Sequence, residues 1–186
     1  MLYYLGTLAH TAKYQNPHTR GEVVAAMSSR SSNAGHGPVY GRAEVFVQHK
    51  ETTSDLIFTS GDAPNQWLSV DLGEGRGLVP THYCLRHSSQ PRYVLRNWTL
   101  EASADGITWA ELRVHDNDSS LARGIYSVAS WPIVNCDGCY QHFRIRQFGE
   151  NSDSTSDQRN YLLSAGIELY GGFSDRNYVR IPPCAP

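Results

Sequence analysis

An all-β fold is what this sequence predicts: an antiparallel β-sandwich of the jelly-roll type, with about eight strands. Three observations predict it. Apolar residues alternate with polar ones over short segments, the period of a half-buried strand. Gly, Pro, Asn, Asp and Ser cluster between those segments, where turns are needed. Helical periodicity is nearly absent along the chain. A single open sheet would leave one apolar face in water, so two layers are required.

The elements follow in order. Residues 23–27 (VVAAM) form a short apolar strand, and 28–40 a Ser/Gly/Asn-rich loop. Segment 67–72 puts Leu68, Val70 and Leu72 on one face, and the glycines of 73–77 turn the chain. Segment 81–86 places Tyr83 and Leu85 together; 97–102 places Trp98 and Leu100 inward. Ser103-Ala-Asp-Gly106 is a hairpin signal, because Asp-Gly tolerates the positive φ of tight turns. The return strand, 108–114, should bury Ala110, Leu112 and Val114. Segments 126–131, 140–148 and 162–170 complete the set, with Phe143 and Ile145, then Ile167 and Leu169, facing the core. Gly171-Gly172 should end the domain, giving a domain over 1–171 and a tail or linker over 172–186. Residues 1–20 carry Leu2, Tyr3, Tyr4, Leu5 and Tyr14, too much apolar surface to hang free.

Composition narrows function. The 186 residues are 40% hydrophobic and 18% charged with a formal net charge of −2, so no global basic field is present to hold nucleic acid or an anionic membrane. No apolar run has the length of a spanning helix, and the first residues lack the basic and apolar regions of a signal peptide. The chain is expected to be a piece of a longer protein. Cys136-Asp-Gly-Cys139 is a lone C-x-x-C without a second ligand pair, which predicts two thiols flanking a turn rather than zinc. Asn97 and Asn117 open formal glycosylation sequons, a pattern that also arises by chance. No nucleophile elbow, H-E-x-x-H or P-loop occurs, and no catalytic residues are predicted. Asp71, inside an apolar strand, reads as a structural carboxylate. Arg144 and Arg146 line one strand face, as a paired or solvated face or as a basic stripe for an acidic ligand. Trp67 and Trp109 fall opposite their strands' aliphatic sets, which places them outside the core or under a loop.

Four segments in order resemble one family. WLSVDLG at 67–73 resembles the W-x-V-D-L-G strand of discoidin domains, also called coagulation factor V/VIII C-type domains. NWTLEASADGITW at 97–109 resembles their W-x-L-x-x-S-x-D-G-x-x-W hairpin. HFRIR at 142–146 and GIELYG at 166–171 resemble the late strands. A narrower set is similar to the discoidin-type modules attached to BTB-domain proteins and large ubiquitin-ligase subunits: LYYLGT at 2–7, Asn16-Pro17, YCLRH at 83–87, Arg96-Asn-Trp98 and ASWPI at 129–133. The resemblance implies a galactose-binding-like jelly roll, intracellular and cytoplasmic, used for non-catalytic recognition of a protein or peptide partner. The alternative it implies is a carbohydrate-binding module. Many discoidin domains carry an early Asp-Gly, Thr and Trp around a calcium loop. The corresponding stretch here, 43–55 (AEVFVQHKETTSD), has no Asp-Gly and scatters its acids, whereas calcium takes six to eight converging oxygens. Neither metal nor cofactor is predicted. Membrane insertion needs apolar loop tips, and the tips at 60–65, 86–92 and 115–120 are polar.

If consecutive strands run antiparallel, the loops 59–66, 87–96, 115–124 and 149–160 gather at one end. The tight turns 73–77, 103–106 and 135–139 gather at the other. Binding residues concentrate in long loops held by a rigid scaffold. The 87–96 loop, with the residue before it, offers Arg86, His87, Arg92 and Tyr93: two guanidinium forks, an imidazole and an aromatic face. These suit a carboxylate, a pair of sugar hydroxyls or an acidic peptide terminus. The four are predicted as the ligand-binding cluster.

Overall fold

A computed structural model describes residues 1–30, 42–49, 60–153 and 158–175. Eight strands form two antiparallel sheets: β1 Val24–Met27, β2 Trp67–Asp71, β3 Arg76–Arg86, β4 Trp98–Ser103, β5 Ala110–His115, β6 Val128–Pro132, β7 His142–Gln147 and β8 Gly166–Asp175. One sheet has the order β1-β2-β7-β4-β5, the other β6-β3-β8. The fold is the predicted all-β sandwich. The core lies between the sheets and is built from the alternating residues: Leu68 and Val70 of β2, Tyr83 and Leu85 of β3, Trp98 and Leu100 of β4, Phe143 and Ile145 of β7 and Leu169 of β8 are all fully buried.

Two strands depart from the sequence reading. On β5 the inward set is not Ala110, Leu112 and Val114. The register with β4 shifts between Leu100 and Glu101, so that Leu100 faces Arg113 while Glu101 faces Glu111. Leu112 is the extra residue of this bulge, and everything after it changes face. Val114 is therefore 51% exposed, and His115 goes inward opposite Trp98. On β8, Gly171-Gly172 does not end the strand. Pairing with β3 continues to Asp175, opposite Arg76, whose Nε donates to Asp175 Oδ2 at 2.8 Å. Gly171 serves a close approach instead: a Cβ there would lie 2.0 Å from the Val79 carbonyl oxygen, beside the register shift at Pro80/His82. The predicted tail beyond Asp175, with Cys184, lies outside the described residues, as do most of the 28–40 loop and residues 50–55 of the calcium-loop stretch.

The first residues pack on the sandwich. A short helix, α1 (Leu2–Gly6), buries Leu2 and Leu5. Its first turn is capped from β8: Glu168 accepts the backbone N–H groups of Leu2 at 2.6 Å and Tyr3 at 2.8 Å, and also binds the Met1 nitrogen. A 3-10 helix, Ala43–Val47, plugs Val45, Phe46 and Val47 into the core beside β1 and β8. None of the helices among the described residues is long and apolar enough to cross a membrane.

The hairpin between β4 and β5 follows its sequence signal. Gly106 sits at φ +73°, and Asp105 Oδ1 accepts the N–H groups of Ile107 and Thr108 at 2.8 Å each. Those two donors, with Ser103, hold the Asp105 carboxyl down at about 2.

Candidate functional site

The loops at the β2-start end of the sandwich are tied to one another. Ser60 N–H donates to Leu162 O, and Asn160 N–H to Asp62 Oδ1 at 2.9 Å. Ser152 N–H donates to Val94 O, Asp118 N–H to Arg96 O, and Tyr126 N–H to Ser88 O. The 60–66, 87–96, 115–124 and 149–160 loops thus meet at one end, within their described residues. Asn97 joins them too: its Oδ1 accepts Asn117 N–H and its Nδ2 donates to Glu150 O, both at 2.8 Å. The asparagine of the first sequon is thereby committed to holding loops together.

The loop carrying the predicted cluster is anchored from below. Val94 and Leu95 are buried in the core, so the residues just before them must turn outward. Tyr93 adopts φ +61°, a left-handed conformation costly for a bulky side chain and held only by its surroundings. Its hydroxyl donates to Gln158 Oε1 at 2.5 Å, and its ring meets Tyr161 edge-on at 5.9 Å. The Arg92 guanidinium lies 5.1 Å from the Tyr93 ring centre and pairs with Asp153 at 2.9 Å, while its side chain stays 52% exposed.

The other two predicted residues sit elsewhere. His87 is fully buried; burial pushes its imidazole pKa down, and its Nε2–H donates to the Arg92 carbonyl at 3.1 Å. It supports the loop from behind and presents no face to a ligand. Arg86 points away from the loop, into a cleft between α1 and the outer face of β3 and β8. There its guanidinium donates to the carbonyls of His49 and Gln48 at 2.6 Å and of Ala165 at 2.8 Å. The predicted foursome is therefore one loop pair, an exposed Arg92 beside a half-buried Tyr93, one buried support and one remote clamp. The sequence pattern does not show which way each side chain leaves the loop.

Sequence reasoning missed the hydrogen-bond chain that fixes the neighbouring loop. Asp118 titrates at about 2: burial alone would raise it, but hydrogen bonds from Ser120 and His115 outweigh that. Ionised, it can only accept, so His115 Nδ1 carries the proton donated to Asp118 Oδ2 at 2.5 Å. Burial keeps His115 neutral, leaving Nε2 as an acceptor for the Tyr83 hydroxyl at 2.6 Å. Trp98 Nε1–H in turn donates to Tyr83 Oη at 3.1 Å, and the Trp98 ring stacks on His115 at 4.0 Å. Every proton has one consistent place. The bulge in β5 that turned His115 inward is the signal, and it cannot be read from alternation.

On the outer face of the five-stranded sheet, Arg144 and Arg146 both pair with Glu101, which is 4% exposed; Arg146 Nε lies 2.7 Å from Glu101 Oε1. This is the paired-face reading of those arginines. Asp71 is the structural carboxylate expected, accepting Gly73 N–H at 2.9 Å and Gln141 Nε2–H at 2.8 Å. Cys136 and Cys139 are free thiols, and no grouping of His, Cys, Asp and Glu among the described residues has metal-site geometry.

This architecture defines a class, the galactose-binding-like β-sandwich. Among solved structures it resembles the module CpGH89CBM32-5 of Clostridium perfringens, in complex with GalNAc-β-1,3-galactose. The TM-score is 0.60 at 17% identity, over 82% of this chain and 97% of that one. It also resembles a fucolectin from striped bass serum (Morone saxatilis), with TM-score 0.59 at 12% identity, over 86% of this chain and 49% of that one. The family 32 carbohydrate-binding module of Streptococcus pneumoniae EndoD gives 0.54 at 11% identity, over 79% and 95%. No family model matches the sequence. Curated relatives do. The chain is 36% identical over 176 residues to the E3 ubiquitin-protein ligase Ufd4 of Drosophila melanogaster, and 32% over 178 residues to the E3 ubiquitin-protein ligase hecd-1 of Caenorhabditis elegans. These matches cover 92% and 94% of the chain but 6% of each ligase. A BTB/POZ domain-containing protein of Arabidopsis thaliana is 35% identical over 111 residues, 59% of this chain and 13% of that protein. The chain thus has the galactose-binding-like fold and is similar in sequence to a segment of these ligase and BTB proteins, spanning about 6% of the length of the two ligases.

Proposed function

We propose that this domain is a non-catalytic recognition module. It binds a protein or peptide partner through its loop end, within a longer intracellular protein of ubiquitin-ligase type. The observation that carries this reading is the pairing of a half-exposed Arg92 with the Tyr93 ring on a loop locked from beneath by Val94, Leu95 and His87. A planar donor fork on an aromatic face recognises a carboxylate with little ordering cost, because the loop is already fixed. Asp153 holds the guanidinium in place until an acidic group competes for it. Arg92 and Tyr93 are the ligand-facing residues in this proposal, His87 supports them, and Arg86 serves the clamp under α1. The relatives at 32% and 36% identity are ubiquitin ligases, which supports a protein partner.

A second reading is a glycan bound at the same end. It is favoured by the carbohydrate-binding modules among the structures of the same fold. The two separate in one experiment. Panning a random-peptide display library on the domain should enrich acidic peptides that bind it. The double variant Arg92→Ala/Tyr93→Ala should keep the melting temperature within a few degrees and lose those peptides. Retention of the peptides by that variant would refute the proposed site; an empty peptide selection with a positive glycan array would replace the ligand class.

A further inference from the structure

We propose that the open edge of the three-stranded sheet, strand β6, pairs with β6 of a second copy of this chain, joining two sandwiches through one continuous sheet. The two sheets have four outer strands, β1, β5, β6 and β8, and they are guarded differently. The 3-10 helix Ala43–Val47 packs beside β1 and β8. β5 is broken by its bulge and carries Glu111 and Arg113, two devices that keep an edge from pairing. β6 has no charge: residues 124–136 hold no Asp, Glu, Lys or Arg, and Ile125, Val128 and Val134 within them are 64%, 60% and 69% exposed. Its guard is Pro132, at the last position of the strand.

Backbone alternation shows which groups are open. Ser127 O accepts His87 N–H at 2.8 Å, and Ile133 N–H donates to Thr81 O at 2.7 Å. Residues 127, 129, 131 and 133 therefore turn their backbone groups toward β3, and Val128, Ser130 and Pro132 turn theirs outward. Pro132 has no N–H to offer, and its carbonyl accepts from Arg113 Nη1 at 2.6 Å. The N–H and C=O groups of Val128 and Ser130 have no partner among the described residues. They stand symmetrically about Ala129. An antiparallel copy on a two-fold axis at Ala129 sets Val128 opposite Ser130 of the second copy, and Ser130 opposite its Val128. Each pair exchanges two hydrogen bonds, so every open group is satisfied by the same patch of the other copy.

Charge points to a second copy as the occupant. Like charges set opposite one another destabilise a sheet, so a charged edge resists pairing with itself. An uncharged strand matches itself without that cost and offers a charged segment nothing to pair with. Arg113 reaches the edge at Pro132, so the two arginines lie at opposite ends of the joined strands. β6 runs from the loop end toward the turn end, and the loop ends of the two copies therefore point in opposite directions.

Sedimentation equilibrium over roughly 10 µM to 1 mM, a range suited to a small interface, should show the mass rising from 20.7 kDa toward twice that value. In hydrogen exchange followed by NMR, the amides of Val128 and Ser130 should exchange several-fold more slowly at the high concentration than at the low one. Those of Ala129 and Trp131, already turned toward β3, should keep their rates. Ser130→Pro, which removes an outward N–H and no bond to β3, should weaken association at least tenfold. Val128→Lys, which places like charges across the axis from an exposed position, should do the same if the proline variant unfolds. A chain that stays monomeric throughout the range, or a dimer that both variants leave intact, overturns the proposal.

Discussion

At the scale of single residues, His115 shows how a buried hydrogen-bond chain becomes a pH dependence. Burial lowers the imidazole pKas of His115 and His87 in the folded protein below the ordinary value near 6.5. Below that value the unfolded chain takes up protons that the folded one refuses, so stability falls as pH drops. The melting temperature should decline between about pH 7.5 and about pH 5. His115→Gln should reduce that slope and itself cost about 1–3 kcal/mol, because Tyr83 and Asp118 lose a geometrically matched partner. An unchanged slope would show that His115 binds its proton equally well in the folded and unfolded chains, so that burial does not hold it neutral. Asp118 adds a second loss at lower pH. Its folded pKa of about 2 is below the usual 3.8, so its contribution is present above 3.8 and disappears as pH falls toward 2. Glu101 tests the outer face. Glu101→Ala strips both arginines of their counter-ion and should cost about 2 kcal/mol, less than a fully buried pair because the arginine side chains are 21% and 29% exposed. Denaturant unfolding measures it directly.

At the scale of elements, the strands follow from alternation because each buries one face, and a period of two admits only one set of inward residues. That logic holds for Leu68 and Val70, and for Phe143 and Ile145. It fails at β5, where the bulged Leu112 reverses the order and exchanges Val114 for His115. Bulges come from backbone register, which leaves no trace in a hydrophobic pattern. The 3-10 helix Ala43–Val47 was equally hidden. Its Phe46 is wholly buried, yet five residues are too few to show a period. Of the proposed site, the sequence shows the loop and its residue types, and the structure keeps only Arg92 and Tyr93 side by side on it. Side-chain direction within the loop, which sends His87 inward and Arg86 to another face, depends on dihedrals the sequence does not display. The N-terminal helix offers a test at this scale. Its anchor is the Glu168 carboxylate on the N–H groups of Leu2 and Tyr3. Glu168→Ala should destabilise the domain by about 2 kcal/mol, from the loss of charge-assisted hydrogen bonds. It should also expose the bonds around Tyr3 and Tyr4 to chymotrypsin. Cleavage rates equal to those of the wild type would mean that packing of Leu2 and Leu5 alone holds α1.

At the scale of the whole molecule, the sandwich separates two ends with different structures. One end carries tight turns closed by their own side chains, as Asp105 closes the hairpin before β5. The other carries long loops linked to one another and to the core through Val94, Leu95, His115 and Asn97. This division makes the molecule a rigid platform for a surface that can vary without disturbing the core. In the proposed function, recognition occurs at that loop end. Amide hydrogen–deuterium exchange of the domain, with and without a peptide selected by it, tests this most directly. New protection is expected in residues 87–97, 115–124 and 158–162, with the hairpin at 103–109 and the turns at 73–77 and 135–141 unchanged. Protection confined to those turns, with the 87–97 loop exchanging as in the free domain, would contradict it.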